Sequence, residues 1–217
     1  MRARFLAVVA ALLAAAPAAP SRAAGCPLIT DARGDSTPLV YGHQTPADDA
    51  LGARGTDLLA ANAWTDDTYV NAVIRVAELP PAPTAPRAHG YEWEMQLRAE
   101  GGIIRLVASE SNGTWSYDST WETASATSSG AATTTDLAST GGTLDPKRGE
   151  IHLEMPLAVV APYTKVGAGV RWMPSVWSFV LDGPPSVDHL PPLGVGIGAD
   201  DAPGKRPVVV GRPECAS

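Results

Sequence analysis

From residue 91 to residue 100 the chain alternates without a break. Tyr91, Trp93, Met95, Leu97 and Ala99 are apolar, and Glu92, Glu94, Gln96, Arg98 and Glu100 are polar. Successive side chains of an extended strand point to opposite faces, so this period of two predicts a strand with one dry face and one wet face. Gly101-Gly102 then leads into residues 103–109, and Asn112-Gly113 leads into residues 114–122. Both dipeptides supply the positive φ that a tight hairpin needs. A three-stranded antiparallel meander follows, and it constrains the remainder of the chain, because a sheet with one apolar face needs a second layer to cover it.

The second layer is also visible. Residues 57–64 read as a strand, Thr65, Asp66, Asp67 and Thr68 as a turn, and residues 69–79 as the return strand, with Val70, Ala72, Ile74 and Val76 on one face. Pro80, Pro81, Pro83 and Pro86 cannot donate ladder hydrogen bonds, so residues 79–86 form a connection. Residues 123–143 are rich in Ser, Thr, Ala and Gly and read as a long loop holding at most a weak edge strand. Ile151, Leu153, Met155 and Leu157 alternate with Glu150, His152 and Glu154 in a further strand. Residues 158–169 suggest a short helical turn. Residues 170–181, with Trp172, Trp177 and Phe179, and residues 208–210 complete the β-like segments. The 21 glycines and 20 prolines among 217 residues argue against a helical bundle, while 45% hydrophobic residues suffice for a core. The fold class expected is all-β: an antiparallel β-sandwich, jelly-roll or immunoglobulin-like, with little helix, formed as a single domain by residues 26–217.

Residues 1–25 have the order of a secretory signal peptide: Arg2 and Arg4, an apolar run, then the small residues Ala23, Ala24 and Gly25. Three of the 16 basic residues lie in this leader, which leaves 13 against 23 acidic residues, a net charge of −10 after its removal. Such a chain repels nucleic acid and anionic membranes, and no later stretch has the length of a transmembrane segment. The expected location is secreted or extracellular. Cys26 and Cys215 stand at the two ends of the exported part, where an even pair reads as one disulfide closing nearly the whole chain. The alternative is acylation of Cys26 as a lipoprotein anchor; Ala23 stands three residues before it where Leu is usual, and acylation would leave Cys215 unpaired.

Candidate sites fall into three groups. Trp115, Tyr117 and Trp121 share one face of a strand, either as part of the core or as stacking platforms for sugar rings. Asp31, Asp35, Asp57, Asp200 and Asp201 lie near strand ends, where they either shape turns or converge on a structural calcium ion. Glu150, His152 and Glu154 project from one strand face as a solvated surface or as an acid–base or zinc site. Glu92, Glu94, Glu150 and Glu154 are the carboxylates from which a sandwich-type glycoside hydrolase would draw its pair. His-Glu-x-x-His and Gly-x-Ser-x-Gly are both missing from the sequence. Arg33-Gly34-Asp35 spells an adhesion triplet but reads as a turn, and the sequon at Asn112 is explained by its hairpin.

One order of residues runs through the first part of the chain: Ile29-Thr30-Asp31, Gly34-Asp35, Asp57-Leu58-Leu59, Asp66-Asp67, and the apolar strand Val73-Ile74-Arg75-Val76. With Tyr91, Trp93 and Met95, then Gly149-Glu150-Ile151 and a closing Asp200-Asp201-Ala202-Pro203, it resembles exported β-sandwich domains related to carbohydrate-binding module family 9 and the DOMON domains. The resemblance implies a non-catalytic domain that binds a ligand, often a sugar or haem, or holds calcium. The sequence shows neither a sugar-clamping Trp pair nor a Met and His pair for haem. The expected function is a secreted binding or structural domain directed at polysaccharide or a cell-surface glycan. A glycoside hydrolase is the alternative.

Overall fold

A computed structural model describes residues 27–34, 56–79, 88–111, 113–123, 132–137, 140–182 and 196–211. Cys26, Cys215 and Asp35 lie outside the described residues, as do the leader and the side chains of the Pro-rich connection. Twelve strands and one short helix are formed: β1 Ile29–Thr30, β2 Leu58–Thr65, β3 Tyr69–Val76, β4 Ala88–Ala99, β5 Gly102–Ser111, β6 Thr114–Thr123, β7 Thr134–Leu137, β8 Gly141–Asp145, β9 Glu150–Pro156, α1 Leu157–Val160, β10 Arg171–Asp182, β11 Gly196–Pro203 and β12 Val208–Val209. They build two antiparallel sheets packed face to face, a β-sandwich. The smaller sheet runs β1-β2-β3-β9-β8 and the larger β11-β10-β4-β5-β6-β7, with β12 attached to β10.

The expected meander forms as β4, β5 and β6. Gly101 and Gly113 take φ of 88° and 81° at its two hairpins, and the register pairs Trp93 with Ala108 and Ala108 with Tyr117. The dry face is the predicted one: Tyr91, Trp93, Met95 and Leu97 are buried against Ile104 and Leu106 of β5. From the smaller sheet, Val70, Ala72, Ile74, Ile151, Leu153 and Met155 meet them across the core. At about 25 cal/mol for each Å² of apolar surface removed from water, burying rows of this size is the main force that holds the two sheets together.

Residues 123–143 are not one loop. Within them β7 pairs with β6 in the larger sheet, while β8, beginning at Gly141, pairs with β9 in the smaller sheet. Edge strands draw their stability from backbone pairing on one side, so a segment poor in large apolar residues can still form them. Gly142 has a packing reason as well: a Cβ there would collide with the ring of Tyr117, which lies on the glycine backbone. The short helical turn expected in residues 158–169 forms at their start as α1, Leu157–Val160.

Candidate functional site

The outer face of the larger sheet holds the most unusual chemistry of the molecule. On β4 the outward residues are Glu92 and Glu94, and the register sets Glu92 beside Phe179 and Glu94 beside Trp177 of β10. On the other flank Glu92 faces Ser109 and Glu94 faces Val107 of β5. The rings of Trp177 and Phe179 are nearly parallel, 10° apart, with centroids separated by 6.3 Å. Sunk between these larger neighbours, Glu92 is only 8% exposed and Glu94 only 3%. Alternation predicted both on the polar face, and they are there, but that face is not wet at this point.

The two carboxylates have unequal support. Arg105 holds Glu94 at 2.5 Å through one guanidinium nitrogen and Glu122 through the other. Ser109 Oγ donates to Glu92 Oε2 at 3.3 Å. Burial, with the charge of Glu94 beside it, lifts the Glu92 carboxyl to about 7, against an ordinary value of 4.5. Burial also raises the Glu94 carboxyl, with Arg105 opposing the shift. Two acidic groups on one face, one of them titrating near neutrality, are the kind of arrangement that structural ion pairing alone does not require. The indole Nε1 of Trp177 is buried and has no hydrogen-bond partner.

The aromatic trio on β6 faces the other way. Trp115, Tyr117 and Trp121 lie on the inner face of the larger sheet, Trp121 buried and the other two partly buried against the core. Trp115 stacks on Trp93 at 5.2 Å and is 6.5 Å from Tyr117. Tyr117 rests on Gly142, and Trp121 stacks on Tyr163 at 5.9 Å. The three therefore form an inner wall and an end of the core, with the polar Thr114, Ser116 and Asp118 on the opposite, exposed face.

The aspartates proposed for calcium are brought together only in part: Asp57 and Asp200 both act at the start of β2, and Asp201 is turned away from Asp200. Asp200 pairs with Ser178 and Asp201 with Trp177, so consecutive positions put them on opposite faces of β11. Asp57 Oδ1 accepts from the Gly34 amide at 2.9 Å, and Asp200 Oδ2 accepts from the Leu58 amide at 2.9 Å, so both carboxylates tie chain segments together. Asp31 Oδ1 accepts from the Ala32 amide at 3.0 Å, and Asp35 lies outside the described residues. Among the described residues no three His, Cys, Asp or Glu side chains are grouped to hold a metal ion.

The smaller sheet has its own outer face. Glu150, His152 and Glu154 do share it, but not as a solvated row: Glu150 is 1% exposed. It is approached by His152 Nε2 at 3.2 Å and by Arg148 Nε at 3.7 Å.

Fold and site together define a two-sheet sandwich with a carboxylate and aromatic patch on the outside of its larger sheet. No protein-family model matches the sequence, and no curated protein matches it. No helix among the described residues is long and apolar enough to cross a membrane.

Sequence reasoning missed the patch because its halves, Glu92 and Glu94 on one side and Trp177 and Phe179 on the other, are far apart in the chain. The signal was present in each half separately, as acidic residues on the polar face of residues 91–100 and aromatic residues alternating in residues 170–181. Only the β4–β10 pairing joins them.

Proposed function

We propose that the protein is an exported, non-catalytic binding domain that takes a carbohydrate, as polysaccharide or cell-surface glycan, on the outer face of its larger sheet. The observation that carries this reading is the register of β4 and β10, which sets Glu94 beside Trp177 and Glu92 beside Phe179. A sugar ring presents apolar C–H faces and polar edges. Flat aromatic rings suit the first, and carboxylates suit the second. The signal-like leader, the excess of acidic residues and the resemblance to exported sugar-binding sandwiches support the same reading. It moves the ligand from the trio on β6 to residues of β4 and β10. Retention of the leaderless protein on insoluble polysaccharides, or on a glycan array, tests it. Binding should fall at least tenfold in Trp177→Ala and Glu94→Gln, and be unchanged in Asp67→Ala, which alters the exposed turn between β2 and β3 in the other sheet. No retention on any glycan overturns the proposal.

Glycoside hydrolysis is the second reading, and the raised Glu92 carboxyl favours it, because a general acid has to be protonated near neutral pH. In that reading Glu92 protonates the leaving oxygen and Glu94, held by Arg105, is the second carboxylate. Turnover of a glycoside by the purified protein, lost in Glu92→Gln, would replace binding by catalysis.

We also infer that Cys26 and Cys215 form a disulfide in the exported protein. In support, the described ends of the chain lie along one strand. Pro27 stands near Ala60 and Asn62 of β2, and the Gly211 amide donates to Thr65 Oγ1 of the same strand at 2.7 Å. A gain of two mass units on reduction is expected. A mass increase matching an acyl group would assign Cys26 to a lipid anchor instead.

A further inference from the structure

The register lays one row of residues straight across five strands on the outer face of the larger sheet. Asp201 of β11 pairs with Trp177 of β10, Trp177 with Glu94 of β4, Glu94 with Val107 of β5, and Val107 with Asp118 of β6. A carboxylate therefore stands at each end of the row and one in its middle, with the half-buried ring of Trp177 between two of them. Asp201 and Asp118 are exposed, so neither end of the row is sealed. Glu92 lies beside the row, next to Phe179. Among the described residues the cation of this region is Arg105, and it is already engaged by Glu94 and Glu122. Arg98 and Arg171 share the face but lie toward its other end, paired with Met173 and Val209. The end that carries Trp177 and Phe179 is thus acidic, with its nearest described cation already spent.

We propose that the glycan taken on this face carries free amino groups on successive sugars, so that the ligand is a cationic, glucosamine-type chain; the inference rests on the carbohydrate reading above and names the chemistry of its ligand. Ionised carboxylates accept hydrogen bonds and donate none, while an ammonium donates three and accepts none, so the two match in hydrogen bonding as well as in charge. A cation over the face of an indole gains a further attraction from the ring, and Trp177 stands between Asp201 and Glu94. Spacing favours a chain over a single amine. Neighbouring strands are about 4.8 Å apart, so the three acidic positions of the row recur at intervals of roughly 10 Å, and a polymer with a charge on each sugar can meet more than one of them. A uronic-acid or sulfated glycan would instead bring like charges to the row. A metal ion needs several ligands around one point, and among the described residues no three His, Cys, Asp or Glu side chains are grouped to hold one. A neutral glycan would stack on the rings and leave the acidic row uncompensated. Glu92 registers the same excess: burial chiefly, then the charge of Glu94 and more weakly that of Asp118, raise its carboxyl to about 7, with Arg105 opposing them.

Titration calorimetry of the leaderless protein with a glucosamine hexamer, its fully N-acetylated counterpart and the non-sugar polyamine spermidine, in mildly acidic, low-salt buffer, tests the inference. The amino chain should bind at least tenfold more tightly than the acetylated chain, and its affinity should fall as salt is raised, because mobile ions screen exposed charges. Spermidine should bind weakly, since it has no sugar face to lay on the rings. An exposed ion pair contributes little on its own, so Asp201→Asn should weaken the amino chain by about threefold. Adding Asp118→Asn, four strands away, should bring the loss to about tenfold, as distant sites add. Affinity for the acetylated chain should not change, and both variants should keep the parent's thermal midpoint, since both positions are exposed. Equal affinity for the two chains, or an unchanged affinity in the double variant, overturns this inference and leaves the carbohydrate reading standing. Binding of neither chain overturns it too, and the carbohydrate reading then stands or falls on the glycan array. Spermidine binding as tight as that of the amino chain overturns the assignment of a glycan and makes the face a polyamine site.

Discussion

Two aromatic rows cross the larger sheet on opposite faces, and they have opposite surroundings. The inner row, Tyr91, Trp93, Trp115 and Tyr117, is a continuous series of rings stacked 5.2 to 6.5 Å apart, closed off by the second sheet. The outer row, Trp177 and Phe179, has rings 6.3 Å apart but, among the described residues, no second sheet over it, and borders two buried carboxylates instead. Residue type and period are the same in both. The difference is the environment across from the rings: apolar on the inside, ionisable on the outside. An aromatic row contributes to stability where it is covered by apolar neighbours; in the function proposed above, the outer row serves recognition beside ionisable groups.

The sharpest way to break this comparison is to truncate one ring from the inner row. Trp93→Ala should destabilise the protein by about 3 to 5 kcal/mol in a denaturant titration, since Trp93 is fully buried between Tyr91 and Trp115. A loss below about 1 kcal/mol would mean that the inner row is not the core.

Next in size is the pH dependence of the outer face. The Glu92 carboxyl is raised in the folded state to about 7 from 4.5, so between those values the native protein binds the proton more tightly than the unfolded chain does. Stability from this group is therefore full at acid pH and is lost as pH rises from about 4.5 through about 7, by on the order of 3 kcal/mol. Glu92→Gln should flatten that part of the profile and be more stable than the parent at pH 8. An unchanged slope would show that Glu92 is solvated.

A smaller effect of opposite sign is expected for its neighbour. Arg105→Met leaves Glu94 buried without its cation and should cost roughly 2 kcal/mol at pH 8, less than for a fully buried pair because a quarter of the Arg105 side chain is exposed. The cost should shrink toward acid pH as Glu94 takes up a proton. The smallest effect on stability belongs to the outer row: Trp177→Ala should change the unfolding free energy by no more than about 1 kcal/mol while removing glycan retention. If it destabilises as strongly as Trp93→Ala, the two rows are alike and the functional contrast disappears.

Much of the fold was legible from local pattern. Alternation in residues 91–99 and 151–155, the two glycine-containing hairpins and the turn at Asp66-Asp67 predict their elements correctly, because side-chain direction in a strand is set by the backbone alone, while Leu157, expected to continue its strand, opens α1 instead. Local pattern failed where an element depends on a partner. β8 and β11 contain glycines and aspartates in place of an apolar alternation, and they are strands because β9 and β10 offer them a free edge. The same limit applied to the sites. The residues 115, 117 and 121 were correctly placed on one face, but period two does not say whether a face is covered. Asp200 and Asp201 looked like one acidic pair and are split between the two sides of β11.

The amino-acid order by itself thus determined which positions extend, which alternate and where the chain must turn, since these follow from backbone sterics and from the drive to hide apolar atoms. Only the tertiary structure decided that Glu92 and Glu94 would sit among Trp177, Phe179 and Arg105, and that Asn62 would be buried with its hydrogen bonds unmade. Those outcomes rest on pairings between strands far apart in the chain. There, the energy of a charged or polar group depends on which distant residues exclude water from it, and a one-dimensional pattern does not carry that information.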